Sequence, residues 1–375
     1  MFTDISELLH HERGKRLASM PRTGGTLLSA GCAGLWYFDW IEEFYGAVDR
    51  HIGIEFYSPR PEGLPENVEW IENTVGDMKD VADASVDTLF SGENLEHIWP
   101  TEAIDFFCES ARVLKAGGSL VIDSPNRSIT KKFGWSHPEH TVEFTTLEAI
   151  RVSNLAGFDV TAINGIWLCR DPRTGKMLQF TPDDATGVLD QEQRRALGRN
   201  DPSNAFIWWM EATRSNREPD RKALAEEVQQ IFRLAWPERC KRFTTHMGEK
   251  TDRGFRSPAG VEGALIYGPY MPLPAGDYEA VFNLRVGRGA GGNAGRCDVM
   301  IGDTVVARQE IKAPRRDGAM EIRLPISLDG MTFAVQARVI SSGLREIDAD
   351  LPTFYGAGAD EILSILKTAK AEPAA

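Results

Sequence analysis

Between residues 26 and 165 short apolar runs alternate with helical patterns, and this alternation limits the fold more than any other feature of the chain. The runs at 26–30, 50–54, 68–71, 86–90, 118–123 and 158–163, with 165–169 as a further candidate, have the length of strands. Strands separated by helices predict an α/β fold, a parallel sheet with helices on both faces. The first strand runs into Gly31-Cys32-Ala33-Gly34 and then a helical stretch. A strand that turns sharply into a helix leaves backbone N–H groups open at the helix start, and small residues let a ligand come close to them.

Either side of this region the pattern differs. Ile5 to Ser19 reads as a helix, broken by Pro21 and Gly24-Gly25. Residues 171–250 read as a helical cap or connector, with Phe206-Ile207-Trp208-Trp209-Met210 as an apolar island. Leu224, Val228, Ile231 and Leu234 mark an amphipathic helix over 220–235. Residues 251–355 carry short alternating runs punctuated by Gly and Pro, among them 278–284, 298–301, 304–307, 320–324 and 333–339. That spacing predicts an antiparallel β-sandwich, jelly-roll-like, with a flexible loop from Gly287 to Gly295. The Ala-rich tail 356–375 holds one short apolar helix (Ile362, Leu363, Ile365, Leu366), which either packs on a second subunit in a homo-oligomer or frays. The expected divisions are therefore 1–170, 171–250, 251–355 and 356–375.

The 375 residues suffice for two or three domains, and 42% hydrophobic content supports a real core. No run of 18 apolar residues occurs, so no membrane span is expected, and the acidic N-terminus lacks the apolar core of a secretory signal. The expected location is the cytoplasm. A net charge of -13 argues against a general nucleic-acid binder, because phosphate affinity needs clustered cations. The stretch holding Arg233, Arg239, Lys241, Arg242, Lys250, Arg253 and Arg256 is either a solvated helix and linker or a site for an anionic glycan or lipid-linked phosphate. The five cysteines (Cys32, Cys108, Cys169, Cys240, Cys297) are scattered without metal-ligand spacing or a disulfide framework, and Cys32 reads as a small buried residue.

More signals follow the turn in order. Glu55 ends the second strand, Gly76-Asp77-Met78 follows the third, and Glu93-Asn94-Leu95-Glu96-His97 follows the fourth. Arg112-Val113-Leu114-Lys115-Ala116-Gly117-Gly118 precedes the fifth, and Leu155-Ala156-Gly157-Phe158-Asp159-Val160 closes the unit. In order and spacing, residues 20–165 resemble the class I S-adenosylmethionine (SAM) methyltransferases, of the kind found in polysaccharide biosynthesis. The resemblance implies a Rossmann-like methyltransferase sheet with an antiparallel edge near its end, and SAM as cofactor. It places the amino-acid end of SAM on Gly31, Ala33 and Gly34. Ser29 stands where the family carries an acid, and Ala33 and Leu35 stand where it carries glycines. Glu55 would accept both ribose hydroxyls, each bond to a charged group contributing about 1.5–3 kcal/mol. Asp77 would take the adenine amino group, Met78 would lie against the ring, and Asn94, with Glu93 and His97, would border the pocket. Glu55 would serve an NAD enzyme equally, but that fingerprint needs Gly-x-Gly-x-x-Gly, and the chain has Gly31, Ala33 and Trp36.

An alcohol acceptor benefits from a general base, and histidine suits that work near neutral pH. His140 and His137 are the first candidates, with His97 third. His137-x-x-His140-x-x-Glu143 has some metal character. With no fourth ligand evident and Pro138 opposing a helix, no metal is expected. Gly268-Pro269-Tyr270 through Gly276-Asp277-Tyr278 resembles the opening of β-sandwich modules attached to bacterial polysaccharide enzymes. That resemblance implies carbohydrate binding, with Tyr267, Tyr270, Arg256 and Arg338 as candidates. The expected function is O-methylation of a sugar hydroxyl in a surface glycan or its lipid-linked precursor. The rivals are a small-molecule or lipid acceptor, a non-catalytic glycan-binding scaffold on a degenerate methyltransferase fold, and a nucleotide-sugar or NAD enzyme.

Overall fold

The computed structural model describes residues 2–134, 137, 140–182, 189–239, 243–273, 276–287, 291–302, 304–312, 318–329 and 332–356. Trp135, Ser136, Pro138, Glu139, the side chains of Arg233 and Arg239, Cys240, Lys241, Arg242, Pro274-Ala275, Arg288 to Ala290 and the expected helix of the tail lie outside these residues. The chain divides into two units, Met1–Phe232 and Arg233–Ala375.

The first unit runs α1 (Ile5–Ser19), β1 (Thr26–Ala30), α2 (Leu35–Phe44), β2 (Arg50–Glu55), β3 (Val68–Glu72), β4 (Val86–Gly92), α3 (Pro100–Val113) and β5 (Leu114–Pro125). It continues with α4 (Arg127–Phe133), α5 (Thr146–Leu155), β6 (Phe158–Leu168), α6 (Gln191–Asn200) and β7 (Ala205–Arg214), and the division falls within α7 (Arg221–Arg239). Local chemistry sets several boundaries. Asp4 caps α1 by accepting the Ser6 and Glu7 N–H groups, and Thr145 and Glu148 form a reciprocal capping box on α5. Gly134 ends α4 in the left-handed conformation. The sheet order is β3-β2-β1-β4-β5-β7-β6. β1 to β5 pair in parallel, and β7 lies antiparallel to both β5 and β6.

The helical connector expected over 171–250 is therefore corrected. Its apolar island is β7, whose Phe206 to Met210 are buried in the middle of the sheet rather than packed as a cap. Trp208 donates its indole N–H to the Phe144 carbonyl at 2.9 Å. A strand covered on both faces has no polar alternation, so its sequence does not separate it from a buried helix. The antiparallel strand consequently sits inside the sheet, and the candidates 158–163 and 165–169 are one strand, β6. α6 packs on β6 through a wholly buried Arg194, which donates to the carbonyls of Leu168, Gln179 and Thr181 and lies over the Trp167 ring at 3.9 Å.

The second unit holds two antiparallel sheets. One orders Glu262–Ile266, Thr332–Ser342, Asn293–Ile301 and Thr304–Lys312, with Met271–Leu273 paired to Thr332–Ser342. The other orders Gly318–Leu328, Gly276–Val286, Ile347–Asp350, Gly254–Ser257 and Glu249–Lys250, with Thr353–Tyr355 paired to Gly276–Val286. In Gly318–Leu328 the side chains of Ile322, Leu324, Ile326 and Leu328 are buried and alternate with exposed neighbours, the period-two signature of a strand with one covered face.

Candidate functional site

The strand order reverses at β1, which pairs with β2 on one side and β4 on the other. In an open α/β sheet the carboxyl ends of strands at such a point border a ligand crevice. Gly31 follows β1 there with φ +78°, and a Cβ on it would come within 2.6 Å of the Asn94 side chain. Glycine is thus needed both for the backbone conformation and for the loop after β4 to close on the turn after β1. Ala33 and Gly34 continue the turn with φ +34° and +130°. Glu55, buried at the end of β2, accepts the Ala33 N–H at 3.1 Å on Oε2, and the Tyr57 and Ser58 N–H groups at 2.8 and 3.0 Å on Oε1. A carboxylate offers about four lone-pair sites. Glu55 therefore keeps room for one hydroxyl more readily than for the two expected of it.

Asp77 belongs to the same edge. Asn73 joins the two acids, donating its N–H to the Glu55 carbonyl and its amide to Asp77 at 3.1 Å. The Asn73 amide and Lys79 hold the half-exposed Asp77 below the usual carboxylate range. Two expected cofactor contacts are not made. Ser29 is fully buried, and its hydroxyl pairs with His51 Nε2 at 2.8 Å on the neighbouring strand; this side chain faces α2, not the turn. Met78 is also fully buried, its N–H bonded to Glu109 at 3.0 Å and its carbonyl to Arg112 at 2.8 Å, so no ring can lie on it in this conformation. Cys32 is buried, and burial pushes its thiol well up, in keeping with a packing role. Trp36, which stands where the NAD fingerprint needs its last glycine, is 54% exposed.

The three histidines come together. Ring centroids lie 4.7 Å apart for His97 and His140, 4.7 Å for His137 and His140, and 6.1 Å for His97 and His137. His97 ends a turn that starts at Asn94, and residues 140–143 are laced to that turn. Thr141 donates its N–H to the Glu96 carbonyl at 2.6 Å and its hydroxyl to the Ile98 carbonyl at 2.6 Å. Behind His140, Glu143 Oε1 lies 2.8 Å from Nδ1, and the Thr130 hydroxyl binds the other carboxylate oxygen. Glu96, which follows the fourth strand with Asn94 and His97, joins this group. Glu96, His97 and His140 each bring one ligand-type atom within 4.8 Å of the others. Glu143, considered from its spacing as a companion ligand, instead stands behind His140. Burial, then the charge of Glu93, pushes the Glu96 carboxyl well above its ordinary range.

One element of the site was not read from sequence at all. Arg13 of α1 is buried and grips Asp123 at the end of β5 with two N–H groups, at 2.8 and 3.1 Å, with Glu93 3.5 Å away. Glu93 adopts φ +48° and donates its N–H to the Asp123 side chain at 2.8 Å. Such backbone strain in a non-glycine residue persists where surrounding bonds enforce it. The available signal was an acid at the end of the fifth strand.

Residues 28–122 match the family model described as "Methyltransferase domain". A probable S-adenosylmethionine-dependent methyltransferase of Mycolicibacterium smegmatis is 28% identical over 149 residues, covering 38% of this chain and 56% of that protein. The chain thus spans little more than half the length of that curated relative. Solved structures with a similar trace include SAM-dependent methyltransferases from Archaeoglobus fulgidus (18% identity, 55% of this chain, 93% of that one, TM-score 0.39) and Listeria monocytogenes, the latter a putative one (14%, 56%, 99%, 0.38). The stretch of the first unit that runs from β1 into β5 is thus similar to SAM-dependent methyltransferases.

Proposed function

We propose that this chain transfers a methyl group from SAM to a hydroxyl oxygen, and that the acceptor is a sugar of a surface glycan or its lipid-linked precursor. One observation carries the methyl-transfer reading: the loop Glu93–His97 touches the turn after β1 through Asn94 and presents Glu96 and His97 beside His140. A cofactor end and an acceptor end thus share five consecutive residues. Gly31, Ala33, Gly34 and Asn94 would line the amino-acid end of SAM, Glu55 the ribose and Asp77 the adenine. When bound, the sulfonium supplies the methyl group. The residues of this chain align the acceptor oxygen for in-line attack, worth about 7–11 kcal/mol in good cases. The Glu96–His97–His140 cluster, steadied by Glu143, is where the hydroxyl proton departs; His137 lies at its rim.

The glycan acceptor rests on the β-rich second unit, which we read as a carbohydrate-binding-like sandwich. Its candidates fare unevenly. Arg338 is committed to the buried Asp298 at 2.6 and 2.9 Å, and Arg256 to Asp348 at 2.9 Å. Tyr267 and Tyr270 are half-buried, and among the described residues Tyr355 is the well-exposed aromatic of this unit. No helix of the described residues is long and apolar enough to cross a membrane. The free Cys32, Cys108, Cys169 and Cys297 suit a reducing compartment, and we place the protein in the cytoplasm.

Incubation with labelled SAM and candidate glycans, lipids and small alcohols, read by mass spectrometry for one added methyl, identifies the acceptor. Calorimetry with S-adenosylhomocysteine, with NAD as the competing ligand, tests the cofactor. A folded chain that binds NAD and not S-adenosylhomocysteine overturns the proposal.

A further inference from the structure

We infer that Glu96, His97 and His140 form a site for one divalent transition-metal cation, with an open position for the acceptor hydroxyl. Its role in activation rests on the methyl-transfer reading above; its existence does not. The donor set is two imidazole nitrogens and one carboxylate oxygen, whose ligand-type atoms lie within 4.8 Å of one another. That mixture suits zinc, manganese, iron or cobalt better than calcium or magnesium, which favour all-oxygen shells.

Two observations point to the cation independently of the cluster itself. Glu96 is 1% exposed, and neither of its carboxylate oxygens has a hydrogen-bond partner of normal geometry. The hydroxyl of the buried Ser124, also without a partner of normal geometry, lies close enough to favour the charged form of Glu96. A buried carboxyl in this state lacks the partner that such groups are found to have. The second observation lies behind His140. Glu143 engages Nδ1 at 2.8 Å and is itself fixed by Thr130, an arrangement that orients the ring for ligation through Nε2. A carboxylate on the far nitrogen is the usual support of a metal-bound histidine. The bonds from Thr141 to the Glu96 and Ile98 carbonyls fix the two chain segments together, so the donors are held before any ligand arrives.

Three protein ligands leave a tetrahedral cation one position short, the arrangement of catalytic rather than structural sites. An alcohol oxygen bound there becomes more acidic. Its O–H proton is released to solvent, the oxygen forms the new O–C bond, and the C–S pair returns to sulfur as S-adenosylhomocysteine leaves. The cation does not change oxidation state.

The test uses the full chain stripped with chelator and then titrated calorimetrically with Zn²⁺ and Mn²⁺. One cation per chain is expected, weakened about 100-fold or more in Glu96→Gln and His140→Gln, and about 10- to 100-fold in Glu143→Gln. S-adenosylhomocysteine affinity should stay within about threefold in all three, since none of the three side chains is among those assigned to the cofactor. Should a variant fail to fold, electron spin echo on the Mn²⁺-loaded wild-type chain still decides, with coupling from two imidazole nitrogens expected. Absence of that coupling, or a stripped wild-type chain that takes up neither cation while binding S-adenosylhomocysteine, overturns the inference and leaves methyl transfer standing. Cation binding without S-adenosylhomocysteine binding does the reverse.

Discussion

Replacing Glu55 with glutamine probes the cofactor end of the site at one atom. The carboxylate holds three backbone N–H groups, from Ala33, Tyr57 and Ser58, and has about one acceptor site left for a ribose hydroxyl. Glutamine keeps the shape and can keep the Tyr57 and Ser58 bonds on its carbonyl oxygen. Its amide then faces the Ala33 N–H, donor against donor, and the charge is gone. One hydrogen bond to a charged group is worth about 1.5–3 kcal/mol. The S-adenosylhomocysteine Kd should therefore rise about 10- to 150-fold, at about 1.4 kcal/mol per decade. The mismatch at Ala33 costs about 1 kcal/mol of stability, a fall in Tm of about 2–4 °C for a unit of this size. Isothermal titration gives the Kd and calorimetric melting the Tm. A variant with a near-native Tm that binds S-adenosylhomocysteine within about threefold of the wild type would show that Glu55 merely supports the loop.

Two further outcomes follow from the fold. His51 is buried, and desolvation lowers its pKa from 6.5 to about 4. The unfolded chain therefore takes the proton first, so this contribution to stability is whole above pH 6.5 and is lost as the pH falls toward 4. About 3 kcal/mol is at stake at 1.36 kcal/mol per pH decade. Urea unfolding across that window should fall more steeply for the wild type than for His51→Gln, and equal slopes would refute the assignment. Separately, a fragment of residues 1–170 lacks β7 and so leaves β5 and β6 without the strand that joins them. It should show no cooperative melt, whereas residues 1–239 should; a sharp transition in the shorter fragment would restore the domain boundary expected from sequence.

Much of the first unit was legible along the chain. α1 runs Ile5–Ser19 as its apolar pattern and Pro21 indicated, and β1 to β5 each contain the runs read as strands. The strand ends were legible too. Gly31, Ala33, Gly34, Glu55, Asp77 and Asn94 all lie at or within a few residues of the carboxyl ends of β1 to β4. Strand ends are local, and a sheet wound this way gathers them along one edge.

Side-chain direction was not legible in the same way. Ser29 turned inward to His51 because the pleat alternates faces, and nothing within a single strand says which face meets α2. Met78 was taken up by the helix that carries Glu109 and Arg112. The gathering of Glu96 and His97 with His140, and the grip of Arg13 on Asp123, join residues more than forty and one hundred positions apart. The sequence by itself determined the kinds and order of the elements from α1 to β5 and the acids and glycines at their ends, since periodicity and turn chemistry act over a few residues. Tertiary structure alone decided that β7 enters the sheet between β5 and β6, and that a lone carboxyl meets two imidazoles. Both depend on contacts between distant segments, whose partners are chosen by packing and by the need to satisfy buried polar groups.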